Sequence, residues 1–237
     1  MSEKYIRTEM LLGTEAMAKL AASTVAVFGV GGVGSYVVES LARSGVGHLI
    51  LIDSDTVCTS NLNRQIMAYT YNIGMSKVHV MADRIREIDP EIKVDVYEMF
   101  YLPEKADLIP FDSCDYIVDA IDTVTAKLDL VAQAEKHHVP IISAMGCGNR
   151  IDPSKLVCTD IYKTFNDPLA KIMRKELKER GIRKLKVVYS PEKPLKPLFD
   201  GKEENSVRRS TPGSTIFVPA SAGLLIGSIV VQELIKD

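Results

Sequence analysis

The segment TVAVFGVGGVG, residues 24–34, constrains this chain more than any other. An unbroken apolar run passes directly into the glycines Gly29, Gly31, Gly32 and Gly34. An apolar run of that length without alternation reads as a strand buried on both faces, the kind found inside a parallel sheet. The glycines allow a tight turn into a helix over 33–43 and let backbone N–H groups approach a phosphate at that helix's N-terminus. A second apolar run, residues 48–53, closes on Asp53, 19 positions after Gly34, where a carboxylate accepts hydrogen bonds from ribose hydroxyls. These features predict nucleotide binding, and they suit ATP and NAD equally.

The same alternation of short apolar runs with amphipathic segments continues along the chain. It predicts helices over 76–88 and 123–137 and strands over 93–97, 116–120 and 140–144. This is the pattern of an α/β, Rossmann-like, doubly wound and mostly parallel sheet. The nucleotide-binding domain is expected to span 1–147, leaving 148–237 as a smaller C-terminal, substrate-binding part. There, strands over 156–161 and 186–190 flank a charged helix over 168–180. Residues 190–213 carry Pro191, Pro194, Pro197 and Pro212, a composition that sustains neither helix nor central strand and predicts a long mobile loop. The apolar stretch 216–235 is interrupted by Pro219, Ser221, Ser228, Gln232 and Glu233. It reads as a buried C-terminal helix with Pro219 in its first turn rather than a membrane span.

Charge demand separates the two nucleotides. A reacting triphosphate needs cations beyond backbone amides. Arg64, within Asn61-Leu62-Asn63-Arg64-Gln65, follows the second strand, and Lys77 opens the next helix. Both fall on the carboxyl side of the sheet, where open α/β folds bind ligands. The guanidinium can grip phosphate oxygens as a fork and the ammonium as a point charge. Asp122, just beyond the fourth strand, can hold magnesium with one carboxylate completed by substrate oxygens. Asp55 joins Asp53, Asn61 and Gln65 in the candidate nucleotide-binding set.

Composition narrows the setting. Residues 1–7 are polar and charged and lack the apolar core of a secretory signal. Cys58, Cys114, Cys147 and Cys158 are scattered without a Cys-x-x-Cys pair, which argues against structural zinc and a disulfide framework and fits a reducing cytoplasm. Cys147 reads as a small, partly buried thiol rather than a nucleophile.

The ordered set GVGGVG, LIDSDTVCTSNLNRQ, Lys77 and DAIDT resembles the ubiquitin-activating-enzyme-like (ThiF/MoeB) superfamily of adenylating enzymes. That resemblance implies ribose binding by Asp53, triphosphate binding by Arg64 and Lys77, magnesium binding by Asp122, and a site lined by Asn61 and Gln65. The Tyr5-Ile6-Arg7 segment resembles the superfamily's N-terminal arm, which implies a homodimer in which Arg7 reaches the partner subunit's ATP. The segments GNRIDP (148–153) and TDIYKTFNDPL (159–169) resemble the branch acting on threonylcarbamoyladenosine in tRNA. It implies that ATP adenylates the side-chain carboxylate, which an atom of the same side chain then attacks, with net loss of water. No protein nucleophile is required for that.

A tRNA substrate needs a local cationic surface. Residues 171–196 hold ten Lys or Arg against three Glu, a local balance of +7 in a chain whose formal total is −2. Arg208 and Arg209 extend the same candidate surface. Three other readings stay open on the residues alone: adenylation of a sulfur-carrier protein's C-terminus, an NAD-dependent oxidoreductase, and a noncatalytic nucleotide-binding scaffold. A sulfur-relay protein is carried as a further candidate partner; a membrane is not.

Overall fold

The computed structural model describes residues 3–199 and 212–236. Its strands are β1 (Thr24–Phe28), β2 (His48–Asp53), β3 (Lys93–Glu98), β4 (Tyr116–Asp119), β5 (Ile141–Ala144), β6 (Val157–Asp160) and β7 (Lys186–Tyr189). They form one sheet in the order β3-β2-β1-β4-β5-β7-β6. Every pairing is parallel except that of β6 with β7. The α/β, doubly wound reading therefore holds. The strands that follow residue 147 extend the same sheet rather than starting another.

The helices are α1 (Ile6–Leu12), α2 (Thr14–Ala22), α3 (Gly34–Arg43), α4 (Lys77–Ile88), α5 (Val124–His137), α6 (Pro168–Glu179) and α7 (Phe217–Leu234). Alternate residues of each central strand face opposite layers. Val25, Val27, Leu49, Leu51 and Val118 pack with α3, α4 and α7, while Ala26, Phe28, Ile50, Ile52 and Ile117 pack with α5. A third cluster joins α5 to α6 through Leu128, Val131, Met173 and Leu177.

The two N-terminal helices were not expected from sequence. α1 has seven residues and ends at Gly13 with φ 85°, too short for a periodic signal to stand out. The segment is held by Tyr5, whose hydroxyl donates to Asp89 Oδ2 at 2.7 Å and to the Ala42 carbonyl at 3.1 Å.

The C-terminal helix is long and apolar enough to cross a membrane by length and composition, but it buries one face on α3 instead. A Cβ at Gly227 would lie 1.9 Å from Ser40 Oγ, and one at Gly223 2.4 Å from the Val33 carbonyl oxygen. Only glycine permits that approach. Pro219 is the third residue of the helix, where its missing N–H costs no intrahelical bond. Residues 200–211, including Arg208 and Arg209, lie outside the described residues, so the expected loop is described only along its two flanks.

Candidate nucleotide-binding and active site

The strand order reverses between β1 and β4, and ligands of open α/β sheets bind at the carboxyl ends of the strands at such a point. Gly29 sits at that reversal with φ 88°. A Cβ there would fall 2.7 Å from the Ala120 carbonyl oxygen, and one at Gly34 would fall 1.7 Å from the Gly29 carbonyl oxygen. The turn is therefore closed to any residue with a side chain at either position. It delivers the chain into α3, whose first turn has no side-chain cap; the Ser35, Tyr36 and Val37 N–H groups already meet the Gly31 and Val33 carbonyls, so what the turn presents to an anion is the positive end of the helix dipole.

The residues singled out from sequence converge on this loop. A Cβ at Gly32 would stand 3.6 Å from the Arg64 Cδ, and one at Gly31 3.9 Å from Gln65 Nε2. Arg64 is aimed by its own surroundings, since Nη1 donates to the Ser60 carbonyl at 2.6 Å and to Asn63 Oδ1 at 2.9 Å. Gln65 is buried, and its Oε1 has no hydrogen-bond partner within the protein. A buried acceptor in that state costs about 1–3 kcal/mol, so its place beside the glycine loop fits a ligand that donates to it. Asn61, also buried, accepts from the Cys58 N–H at 3.2 Å and shapes the turn that carries Arg64.

Asp53 accepts from the Val30 N–H at 2.7 Å and from the Asp55 N–H at 2.8 Å. It thus ties the end of β2 to the glycine loop and keeps lone pairs for a ribose. Lys77 is buried, with its side chain 6% exposed, and pairs with the exposed Asp55 Oδ2 at 2.8 Å. A solvated surface lysine is excluded.

Asp122 is exposed just beyond β4. Among the described residues no group of three or more His, Cys, Asp or Glu could enclose a metal. A magnesium ion there would take Asp122 as its protein ligand and complete its shell with phosphate oxygens and water, which is ordinary for this ion.

Arg7 does not join this set within one chain. It is exposed on α1, and the neighbouring Tyr5 is anchored to Ala42 and Asp89 at the ends of α3 and α4. Those helix ends lie at the amino edge of the parallel strands, opposite the glycine loop. Within one chain Arg7 is therefore directed away from the glycine loop.

Sequence reasoning missed the polar frame beneath the site. Asp119 and Lys127 are fully buried and pair at 2.8 Å. Lys127 Nζ also donates to the Ile121 carbonyl at 2.9 Å and the Ala144 carbonyl at 2.8 Å, joining the carboxyl ends of β4 and β5. The available signal was a lysine on the apolar stripe of α5, three or four residues before Leu130 and Val131. A second buried pair, Arg150 with Asp167 at 3.4 Å, fixes the segment after β5. Asp167 Oδ2 accepts from the Gly146 N–H at 3.1 Å, while Arg150 donates to the Gly146, Asn166 and Glu192 carbonyls. Between these residues sits Cys147. Burial pushes its thiol up to about 12, with Asp167 and Asp122 adding to the rise and Arg150 and Lys127 opposing it. A thiol held protonated is a poor nucleophile.

Asn149 ties the two flanks of the long loop together. Its N–H donates to the Gly213 carbonyl at 2.7 Å, its carbonyl accepts from the Leu195 N–H at 2.7 Å, and its Oδ1 accepts from the Gly213 N–H at 2.7 Å. Next along the chain, the Ser214 carbonyl accepts from Asn63 Nδ2 at 2.9 Å, so this knot touches the neighbour of Arg64.

The cationic stretch is arranged on α6. Lys171, Lys175 and Lys178 are exposed and share one face, while Ala170, Met173 and Leu177 are buried on the other. Arg174 is different, because its Nη1 donates to the Thr164 carbonyl at 3.0 Å and also to the Thr164 hydroxyl. It braces the preceding turn instead of facing solvent as a phosphate contact.

Comparison with known proteins fits this geometry. A model of the ThiF family matches residues 5–236. The tRNA threonylcarbamoyladenosine dehydratase of Bacillus subtilis is 41% identical over 245 residues, covering 100% of this chain and 96% of the relative. The Escherichia coli enzyme of the same name is 38% identical over 207 residues, covering 84% of this chain and 77% of the relative. The crystal structure of E. coli tRNA N6-threonylcarbamoyladenosine dehydratase in complex with AMP superposes with a TM-score of 0.90 at 35% identity, covering 98% of this chain and 94% of that one. The same enzyme in complex with ATP gives a TM-score of 0.89.

Proposed function

The chain belongs to the ThiF family, and from that premise and the geometry above we propose that it is an ATP-dependent tRNA threonylcarbamoyladenosine dehydratase. The observation that carries the chemistry is the convergence of Arg64, Gln65, Lys77 and Asp53 on an uncapped helix N-terminus. Similarity over nearly the whole chain to enzymes of that name carries the substrate.

Asp53 orients the ribose. The positive end of the α3 dipole, with Arg64 and Lys77, holds the phosphates so that the α-phosphorus faces the incoming carboxylate. Magnesium bound at Asp122 would neutralise part of the charge developing on the pyrophosphate. As Lys77 engages phosphate it gives up Asp55, a partner that is 64% exposed and easily resolvated. A carboxylate oxygen of the threonylcarbamoyl side chain bonds to the α-phosphorus and the bond to pyrophosphate breaks. An atom of the same side chain then attacks the activated carbonyl carbon, and AMP leaves with the carboxylate oxygen. The sum is loss of one water, taken up in converting ATP to AMP and pyrophosphate. The protonated Cys147 has no part in it.

A homodimer is part of this reading, supported by the position of Arg7 and by the exposed apolar residues Ile6, Met10 and Leu11 on the same helix. A cytoplasmic setting follows from the tRNA substrate. A sulfur-relay partner is tested separately, by the effect of added relay proteins on turnover.

The deciding measurement is mass spectrometry of nucleosides from threonylcarbamoylated tRNA incubated with protein, ATP and magnesium. Loss of one water only when ATP is present is the expected result. An unchanged nucleoside, with ATP–pyrophosphate exchange dependent on an added carrier protein, would move the substrate to a protein C-terminus.

A further inference from the structure

Phe165 is an aromatic ring built to stand in solvent. It is 56% exposed, yet the turn that bears it is pinned on every side. Arg174 bonds the Thr164 carbonyl and hydroxyl, Arg150 Nη2 bonds the Asn166 carbonyl at 3.2 Å, and Asn166 Nδ2 donates to the Pro191 carbonyl at 3.0 Å. Asn166 itself sits at φ 56°, in the left-handed region. One edge of the Phe165 ring meets Tyr189, with centroids 6.2 Å apart and planes at 79°. The side chain is held outward by a turn braced by the buried Arg150, by the half-buried Arg174 and by an asparagine in the left-handed region.

The turn is also next to the chemistry. Asp167, two residues on, holds the Gly146 N–H, and Cys147 is close enough to Asp122 and Lys127 to feel both charges. On its other side α6 begins, presenting the exposed Lys171, Lys175 and Lys178.

We infer that Phe165 is the stacking platform for a base of the tRNA, one flanking the modified adenosine. This rests on the function proposed above. For its carboxylate to reach the α-phosphorus, the modified nucleoside must leave the stack, which deprives its neighbour of a stacking partner. A rigid aromatic face at the rim of the site restores that contact without ordering cost, while the lysines of α6 follow the backbone.

The test uses the full chain and threonylcarbamoylated tRNA in two readouts. The first is turnover by nucleoside mass spectrometry, and the second is tRNA binding by fluorescence anisotropy without ATP. Phe165→Ala is expected to raise the KM for tRNA and the Kd roughly 5- to 150-fold, the span of a lost base–aromatic stack. The KM for ATP, the melting temperature and the slope of affinity against salt should stay as in the wild type. Phe165→Tyr should restore binding, and Phe165→Leu, which keeps apolar bulk without a π face, should not. A Phe165→Ala protein within twofold of wild type in both readouts, or full rescue by leucine, overturns the inference. A wild-type protein that makes no dehydrated nucleoside sinks the proposed function instead, and the binding readout still decides on Phe165.

Discussion

Replacing Lys127 by methionine separates a fully buried ion pair and is the most informative single perturbation of the site's frame. Methionine keeps the length and helix propensity of the side chain. It deletes an ammonium that pairs with Asp119 Oδ2 at 2.8 Å and donates to the Ile121 and Ala144 carbonyls at 2.9 and 2.8 Å. Asp119, fully buried, is left with the Ile121 N–H, which donates to its Oδ1 at 3.3 Å. Breaking such a pair by removing one partner costs about 3–5 kcal/mol. For a chain of this size each kcal/mol moves the melting temperature by about 2–4 °C, so a fall of roughly 6–20 °C is expected. Circular dichroism followed through heat and urea unfolding measures it. The double variant Lys127→Met with Asp119→Asn removes both charges and should recover at least about 2 kcal/mol of the loss. A Lys127→Met protein within about 1 kcal/mol of wild type, or a double variant no more stable than the single one, refutes the reasoning.

Further expectations concern the nucleotide, the loop flanks, the N-terminal anchor and the thiols. Lys77→Ala and Asp122→Ala should each abolish ATP–pyrophosphate exchange while the far-ultraviolet spectrum is retained; normal exchange in both would remove the triphosphate assignment. Asn149→Gly keeps the left-handed backbone at φ 59° but loses the bond to the Gly213 N–H, so tRNA turnover should fall several-fold, with rescue by Asn149→Asp, which keeps the acceptor. Asp89 is pulled up by burial, but hydrogen bonds from Lys4 and Tyr5 prevail and hold it below its ordinary value of 3.8. A depressed carboxylate stabilises the fold above its unfolded pKa and loses that contribution as pH falls through the folded one. Protection factors for hydrogen exchange at residues 5–12, taken relative to the intrinsic rate at each pH, should therefore fall below about pH 4 in wild type and be low already at neutral pH in Asp89→Asn. Cys147, half-buried and pushed up by desolvation to about 12, should react more slowly with iodoacetamide at pH 8 than the exposed Cys58; equal rates would contradict the raised thiol.

The sheet was legible because its strands are local, unmixed apolar runs. The glycine loop and Asp53 were legible because one βαβ unit holds them at short spacing. The placement of Arg64, Lys77 and Asp122 beyond the carboxyl ends of their strands needed only the element order, while their contact with a nucleotide belongs to the proposal. What the sequence concealed lies in pairs made by tertiary contact. Lys127 looks like any helical lysine until Asp119 of the neighbouring strand neutralises it. Arg150 and Asp167, 17 positions apart, meet only after β6 has doubled back antiparallel to β7. Arg174 shows the converse error, since charge counting placed it on the tRNA surface while Thr164 already engages it. The N-terminal helices escaped notice because their order depends on Asp89, a residue some eighty positions away.

The first turn of α7 rests on the nucleotide loop: Pro219 Cβ would lie 3.4 Å from a Cβ at Gly32, and Gly223 abuts the Val33 carbonyl. Nearly two hundred residues separate the two sides of that contact in the chain. During synthesis the glycine turn emerges early, but its outer wall is made only when residues 217–223 have left the ribosome. Closing so long a span comes late in folding. If ATP binds as proposed above, with its phosphates at this joint, it acts as a ligand for this late contact and stabilises the fold that has made it more than one that has not.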